Sequence, residues 1–135
     1  MSSITHQTVT LHMVSYPYYV NVLCDKIWSS CEDKPPTQSV VSSLWHEYIL
    51  QEKSKIAKEL GSLNMSQKKL LIAISQGVTK GLTSASELHK LNFSSGAVIK
   101  SLKLLEEQDY INRDKSGGYF LVDPLIKASL MLFYP

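Results

Sequence analysis

The feature that most constrains the fold of this sequence is an apolar-striped helix that runs directly into a glycine turn. A helix is predicted to begin near Ser94, and four apolar residues share one of its sides: Val98, Ile99, Leu102 and Leu105. Two short runs of strand-forming residues follow and are joined at Ser116-Gly117-Gly118, where glycine tolerates a positive φ. The pattern predicts a helix followed by a two-stranded hairpin.

Two shorter helices are predicted before this one, and another is predicted after the hairpin. The segment "NMSQKKLLIAISQG" places three apolar residues inward: Leu70, Leu71 and Ile74. The segment "TSASELHKLN" carries three more at three-residue steps: Ala85, Leu88 and Leu91. Behind the hairpin, Asp123 suits an N-cap and Pro124 suits the first helical position. This order of elements describes a winged helix-turn-helix, predicted over residues 63–135.

The first half of the chain predicts a small helical bundle over residues 1–62, so the predicted fold class is mainly α. Weak helix signals cover residues 3–13, and the stronger segment "YPYYVNVLCDKIWSS" suits a helix that starts at Pro17. A further helix is predicted from the N-cap Thr37 to Gly61. Six aromatic residues concentrate in this half: Tyr16, Tyr18, Tyr19, Trp28, Trp45 and Tyr48. We expect them to pack as core, and the alternative is an exposed docking surface.

Composition and charge favour a soluble, cytoplasmic protein. The 135 residues are 44% hydrophobic and 19% charged, with a formal net charge of +2. No apolar run is long enough to span a membrane, and the N-terminus lacks the layout of a signal peptide. We therefore expect Cys24 and Cys31 to be reduced thiols. Residues 63–135 hold nine Lys and Arg against six Asp and Glu, so the excess base lies in the second half.

The third helix and the hairpin of the predicted winged helix carry the candidate nucleic-acid contacts. Lys100 and Lys103 lie on the helix face opposite the apolar stripe, and the helix N-terminus itself favours anions. Two serines at that N-terminus and two cations of the hairpin, which forms the wing of the fold, are further candidate contacts. The predicted nucleic-acid-binding residues are Ser94, Ser95, Lys100, Lys103, Arg113 and Lys115.

Other residues of the same region argue against DNA as the partner. Glu106, Glu107 and Asp109 would repel phosphate. No arginine lies on the helix, although arginine is the commonest reader of guanine. Ser94 suits the role of an N-cap alone. The sequence therefore leaves open whether the winged helix binds duplex DNA or a protein partner.

Neither catalytic residues nor a metal site are predicted. The chain lacks a G-x-x-x-x-G-K-[ST] phosphate loop and a G-x-S-x-G nucleophile elbow. The adjacent carboxylates Glu106 and Glu107 point about 100° apart on a helix and cannot act as a pair. Four side chains of metal-ligating type show no paired spacing: His12, Cys24, Cys31 and His46. Cys24 lies on an apolar stripe, so a buried thiol is expected there.

Three segments resemble the C-terminal region of P-loop ATPases of the AAA+/STAND type, most closely the archaeal-type ATPase family. They are "YPYYVNVLCDKIW", "LNMSQKKLLIAISQG" and "FSSGAVIKSLKLLEEQDYI", the last continuing into "GGYFLVDPLIKASL", and the likeness covers residues 4–132. In that family a nucleotide-binding core precedes a helical lid and a winged helix. The resemblance implies that Pro17 and Tyr18 lie in the lid segment that approaches the nucleotide. Val14-Ser15-Tyr16 stands where the family prefers glycine.

The resemblance also implies a longer parent protein whose phosphate loop lies upstream of Met1. ATP and Mg²⁺ would then be cofactors of the parent, with none held by this chain, and the upstream ATPase core would be a partner. On this hypothesis the chain is a non-catalytic region that regulates the nucleotide core and presents a winged helix to DNA or to a protein. The alternatives are a stand-alone winged-helix transcription regulator, with the first half as a dimer interface, and a pure protein-interaction module.

Overall fold

The structure is a computed structural model that describes residues 17–30 and 35–134. Nine elements follow one another in these ranges. They are α1 (Pro17–Ser30), α2 (Gln38–Gln51), α3 (Lys53–Gly61), α4 (Met65–Ser75), α5 (Ala85–Leu91), α6 (Ser95–Glu107), β1 (Ile111–Arg113), β2 (Tyr119–Leu121) and α7 (Pro124–Phe133). The predicted fold class, mainly α with a helix-turn-helix and a two-stranded wing, is confirmed. The helix predicted over residues 3–13 lies outside the described residues.

The chain divides into two compact units at Lys53 and Ser54. The domain boundary predicted from the sequence follows residue 62, on the far side of α3. In the structure α3 is tied to the second unit, because the Tyr110 hydroxyl donates a hydrogen bond to Glu59 Oε1 at 3.2 Å. The boundary of the second unit therefore precedes the predicted boundary by the length of one short helix.

The first unit pairs α1 with α2 through apolar and aromatic side chains. Leu23 and Ile27 of α1 are buried, and α2 buries four residues: Val41, Trp45, Tyr48 and Ile49. The Tyr19 ring lies 5.9 Å from Trp45 and 6.2 Å from Tyr48, in the tilted and edge arrangements that aromatic pairs prefer. The core interpretation of the aromatic residues is thus confirmed for these three side chains.

Two of the remaining aromatic residues contradict that interpretation. Tyr18 is 65% exposed and Trp28 is 76% exposed, while Tyr16 lies outside the described residues. Both exposed rings belong to α1 and point away from its buried stripe of Leu23 and Ile27, since a helix of 3.6 residues per turn can bury only one side.

The helix predicted from Thr37 to Gly61 is instead two helices that are separated at Glu52. Thr37 is the N-cap of α2, as predicted, and its side chain accepts a hydrogen bond from Val40 N at 3.2 Å. The break follows the last buried residue of α2, Ile49, after which the apolar spacing of that helix ends. The break at Glu52 lies next to the boundary between the two compact units, at Lys53 and Ser54.

Helix α4 is the centre of the second unit, since it packs against α5, α6, α7 and β2. Its inward residues are buried as predicted: Leu70, Leu71 and Ile74. Asn64 and Gln67 form a capping box at its start, which satisfies two backbone N–H groups that have no partner inside the helix. In α5 only Leu91 of the three predicted residues is buried, while Leu88 is half-buried and Ala85 exposed.

Helix α6 corrects one prediction that matters for function. Val98, Leu102 and Leu105 are buried, but Ile99 is 59% exposed, so its assignment to the apolar stripe is wrong. Ser101 completes the buried side in its place, at the i+3 position from Val98. The hydroxyls of Ser101 and Ser66 hydrogen-bond, which joins α6 to α4 where the two helices pack.

The hairpin has the predicted glycine turn and an antiparallel register of Ile111 with Leu121. The Asp114 carboxylate organises the turn by accepting hydrogen bonds from Ser116 N, Ser116 Oγ and Gly118 N. Gly117 has a φ of +85°, which other residues rarely adopt. Behind β2, Asp123 caps α7 by accepting from Leu125 N at 2.8 Å, and Pro124 is its first residue, both as predicted.

No helix within residues 17–30 and 35–134 combines the length and the apolar character needed to cross a lipid bilayer.

Two buried serines provide a matched test of the packing in the second unit. Ser129 Oγ of α7 is buried without a hydrogen-bond partner among the described residues, whereas Ser101 Oγ is paired with Ser66. We expect Ser129→Ala to raise the free energy of unfolding by about 1 kcal/mol, because it removes an unsatisfied hydroxyl. Ser101→Ala should lower it by about 1 kcal/mol, because it removes a hydrogen bond. Urea unfolding measures both, and a loss of stability in Ser129→Ala would contradict the assignment.

Candidate nucleic-acid interface

The start of α6 presents two exposed serines with different local roles. Ser94 is the N-cap of the helix, and its side chain accepts a hydrogen bond from Ala97 N at 3.2 Å. Its hydroxyl hydrogen stays available to donate to an outside acceptor. Ser95 is the first residue of α6 and is exposed. The predicted contact residues Ser94 and Ser95 therefore both lie at the positive end of the helix dipole.

The exposed side of α6 carries Lys100 and Lys103, which are three positions apart and so less than one turn apart along the helix. Neither lysine forms an ion pair within the described residues. Ile99 lies beside Lys100 and one turn before Lys103, and together they give the middle of the exposed side two cations and one apolar side chain. This surface is open to solvent because the opposite side of α6 faces α4.

An open groove lies between α6, the loop 79–83 and the hairpin. Helix α6 contributes Ile99 and Lys103 to its lining, the loop contributes Lys80, and the hairpin contributes Arg113 and Tyr119. Three cations from three separate segments therefore surround one groove. All of its lining residues belong to the second compact unit.

Lys80 lines this groove although it is not among the predicted contact residues. The Tyr119 N–H donates a hydrogen bond to Thr79 O at 3.0 Å, so the loop runs alongside β2 and brings Lys80 to the hairpin. A Cβ atom added at Gly118 would lie only 3.4 Å from Lys80 Cε, which shows how closely the lysine stem covers the turn. The short segment Val78-Thr79-Lys80 has two β-branched residues, and that strand-like composition was the only available signal.

Arg113 is engaged by two neighbours. Its Nε donates a hydrogen bond to Glu106 Oε1 at 2.9 Å, and its guanidinium lies 5.0 Å from the centre of the Tyr119 ring. The hydrogen bond to Glu106 raises the pKa of Arg113 above its already high ordinary value. The pair neutralises Glu106, one of the carboxylates expected to repel phosphate, and leaves Glu107 and Asp109 exposed near the end of α6.

Lys115 lies exposed in the hairpin turn, next to Asp114. The hydrogen bond from Ser116, followed by the one from Gly118 N, lowers the pKa of Asp114 below its ordinary value. Lys80 also lowers this pKa through its positive charge. Asp114 is therefore ionised in the wing turn. Its hydrogen bonds to Ser116 and Gly118 fix the conformation of the turn that contains Lys115.

Pro17 and Tyr18, the residues assigned to nucleotide approach, both lie at the start of α1 in the first unit. Pro17 is the first helical residue, and the Tyr18 ring lies 5.4 Å from the Tyr19 ring. Neither contributes to the groove of the second unit.

Cys24 is a free thiol that is half-buried, and its burial raises the pKa of the thiol. Among residues 17–30 and 35–134, no three His, Cys, Asp or Glu side chains gather closely enough to hold a metal ion. Two of the four side chains considered as metal ligands, His12 and Cys31, lie outside the described residues.

Charge differs between the two units. Residues 54–135 carry eleven Lys and Arg against seven Asp and Glu, a net charge of +4. Residues 1–53 carry three against five, a net charge of −2. The positive charge of the chain is therefore concentrated in the unit that contains the groove.

Comparison with known families places this unit in context. The model of the family described as "Probable winged helix domain" matches residues 54–131, which is more than half of the chain. The matched range begins with the second compact unit and contains the whole groove. No curated protein and no solved structure gives a match to this chain.

The Asp114 turn predicts a pH dependence of the wing. Because the folded state lowers the pKa of this carboxyl, its stabilising effect is present above the unfolded pKa and is lost as the pH falls through the folded pKa. We expect amide protection of Ser116 and Gly118, measured by hydrogen exchange, to decline at acidic pH and to be weak at all pH values in Asp114→Ala.

Lys115→Ala is the matched control for this turn, because Lys115 has no hydrogen bond of its own there. In Lys115→Ala, the amides of Ser116 and Gly118 should stay protected from hydrogen exchange, and this protection should still decline at acidic pH. Unchanged protection in Asp114→Ala would show that the carboxylate does not organise the turn.

Proposed function

The chain belongs to the family of probable winged helix domains, and from this membership we propose that residues 54–131 bind duplex DNA through α6 and the hairpin. Winged helix domains bind DNA or protein and are generally non-catalytic. In a helix-turn-helix the second helix of the motif, here α6, enters the major groove with its N-terminal residues toward the bases. The hairpin then lies against the sugar-phosphate backbone.

The cations on three segments are the observation that supports DNA most directly. Lys103 of α6, Lys80 of the loop and Arg113 of the hairpin surround one groove, and Lys100 extends the positive surface along α6. Lysine side chains bind phosphate without reading sequence, and they position a protein on the duplex. The net charge of +4 on residues 54–135 has the sign that such a partner requires.

The carboxylates fit this orientation of α6. Glu107 and Asp109 lie at the C-terminal end of the helix, which points away from the bases when the N-terminal half enters the groove. Glu106 is paired with Arg113, so its charge is compensated inside the protein. The serines at the N-terminal end face the DNA together with the positive end of the helix dipole.

We further propose that this winged helix belongs to the C-terminal region of an AAA+/STAND-like ATPase and regulates its nucleotide core. The support is the likeness of "YPYYVNVLCDKIW" to the lid segment, together with a helix that starts at Pro17 and buries Tyr19 against α2. On this proposal ATP and Mg²⁺ bind the parent's core, and Tyr18 is an exposed lid residue that faces the nucleotide. The cytoplasmic location predicted from the sequence is part of the same proposal.

The DNA proposal predicts a steep salt dependence of binding. Fluorescence anisotropy of labelled duplex DNA should show that the affinity of the chain falls as salt rises. The double variant Lys100→Gln, Lys103→Gln should bind more weakly and lose about 0.9 from the logarithmic salt slope for each phosphate contact removed.

The matched control is Lys58→Gln, Lys127→Gln, which removes two exposed lysines from α3 and α7 outside the groove lining. This control should keep most of the affinity and the salt slope. Absent or salt-independent binding by the unchanged chain would overturn the DNA proposal in favour of a protein-docking module.

The parent proposal predicts a phosphate loop in the coding sequence upstream of Met1. Sequencing the gene and its transcript should reveal a continuous frame that encodes G-x-x-x-x-G-K-[ST] ahead of this chain. A stop codon immediately upstream, together with a two-fold dimer in light scattering, would favour the stand-alone transcription regulator instead.

A further inference from the structure

The exposed side of α6 has an unusual shortage of side chains that read bases by hydrogen bonds. From its N-cap to its last turn the exposed residues are Ser94, Ser95, Gly96, Ile99, Lys100, Lys103 and Glu107. Arginine, asparagine and glutamine, which read guanine and adenine through paired hydrogen bonds, do not occur in this set. Glu107 lies in the last turn, away from the end that approaches the bases.

Ile99 is the largest apolar group on that side, and 59% of it is exposed. Ile99 precedes Lys100 and Lys103 in the chain, and around the helix axis both cations lie on one side of it, at about 100° and about 40°. Ile99 belongs to the N-terminal half of α6, the part of such a helix that meets base edges in the major groove. The only apolar group that a base pair presents there is the C5 methyl of thymine.

We propose that Ile99 is a specificity-determining residue that contacts thymine C5 methyl groups, so that the chain selects duplexes carrying 5-methylpyrimidines. This inference rests on the proposed binding of duplex DNA and adds the chemical group that is read. The contact removes apolar surface of both partners from water, whereas a G·C pair offers no methyl to Ile99. Ser94 and Ser95 hydrogen-bond bases or phosphates of many sequences and add little selectivity of their own.

Because Ile99 is exposed, its substitution can remove the contact with a methyl group without disturbing the core of the domain. Replacing Ile99 does not open a cavity, since the core side of α6 is formed by Val98, Leu102 and Leu105. The probe can be changed as cleanly, because uracil differs from thymine only in lacking the C5 methyl. Phosphate contacts are the same in both duplexes, so the salt slope should not differ between them.

The test measures binding of the chain to an alternating dA-dT duplex and to the matching dA-dU duplex. The unchanged chain should bind the thymine duplex more tightly, by about fourfold for each methyl group that is buried. A second pair of probes, alternating dG-dC with and without cytosine C5 methylation, should show the same preference for the methylated form. In Ile99→Ala the preference should shrink in both pairs.

Met131→Ala is the control variant, because Met131 is an equally exposed apolar residue at the far end of α7 and lines no part of the groove. Met131→Ala should keep the full preference for duplexes that carry the C5 methyl group. Salt-dependent binding without a difference between thymine and uracil would overturn this inference while the proposed function stands. A preference that survives in Ile99→Ala would also overturn it, and a failure to bind any of the duplexes would remove both proposals.

Discussion

The packing of α4 against α6 is the interaction on which the rest of the second unit depends. The buried side of α6 and the inward residues of α4 exclude water from each other, and the hydroxyl pair of Ser66 and Ser101 fixes one point of the contact. Because a helix has a single buried stripe, this packing, together with the contact of α6 with β1, decides which residues of α6 face outward. The cations and Ile99 are exposed as a consequence of where the core lies.

A second contact, between the loop 79–83 and the hairpin, turns that helix face into a groove. The hydrogen bond from Tyr119 N to Thr79 O joins the loop to β2 and holds Lys80 near the hairpin. The ion pair of Arg113 and Glu106 connects the hairpin to α6 from the other side. The three segments that surround the groove are therefore linked to one another by backbone and side-chain contacts.

Local chemistry made much of this fold predictable, while contacts between distant segments were not. The caps Thr37, Ser94 and Asp123 were identified because an N-cap needs only a side-chain oxygen next to a helix start. Ile99 was misplaced because adjacent positions differ by 100° on a helix, and a stripe of four residues did not determine which edge was buried. Lys80 and the pairing of Arg113 with Glu106 depend on tertiary contacts, which a single sequence does not specify. The assignment of Pro17 and Tyr18 to a nucleotide rests on likeness to a family and stays a prediction.

The ion pair of Arg113 and Glu106 has a consequence for how the wing would meet a nucleic acid. An unpaired lysine that reaches a phosphate displaces a condensed cation into the solution, and the entropy of that released ion drives association. Arg113 starts from a carboxylate partner, so its transfer to a phosphate would break the hydrogen bond to Glu106 and leave that carboxylate unpaired close to the DNA. The loss of this pair would offset part of the free energy of the new phosphate contact. The arginine would orient the wing on the backbone, whereas Lys100 and Lys103 of α6 have, in the part of the chain that the structure describes, no ion pair to break on binding.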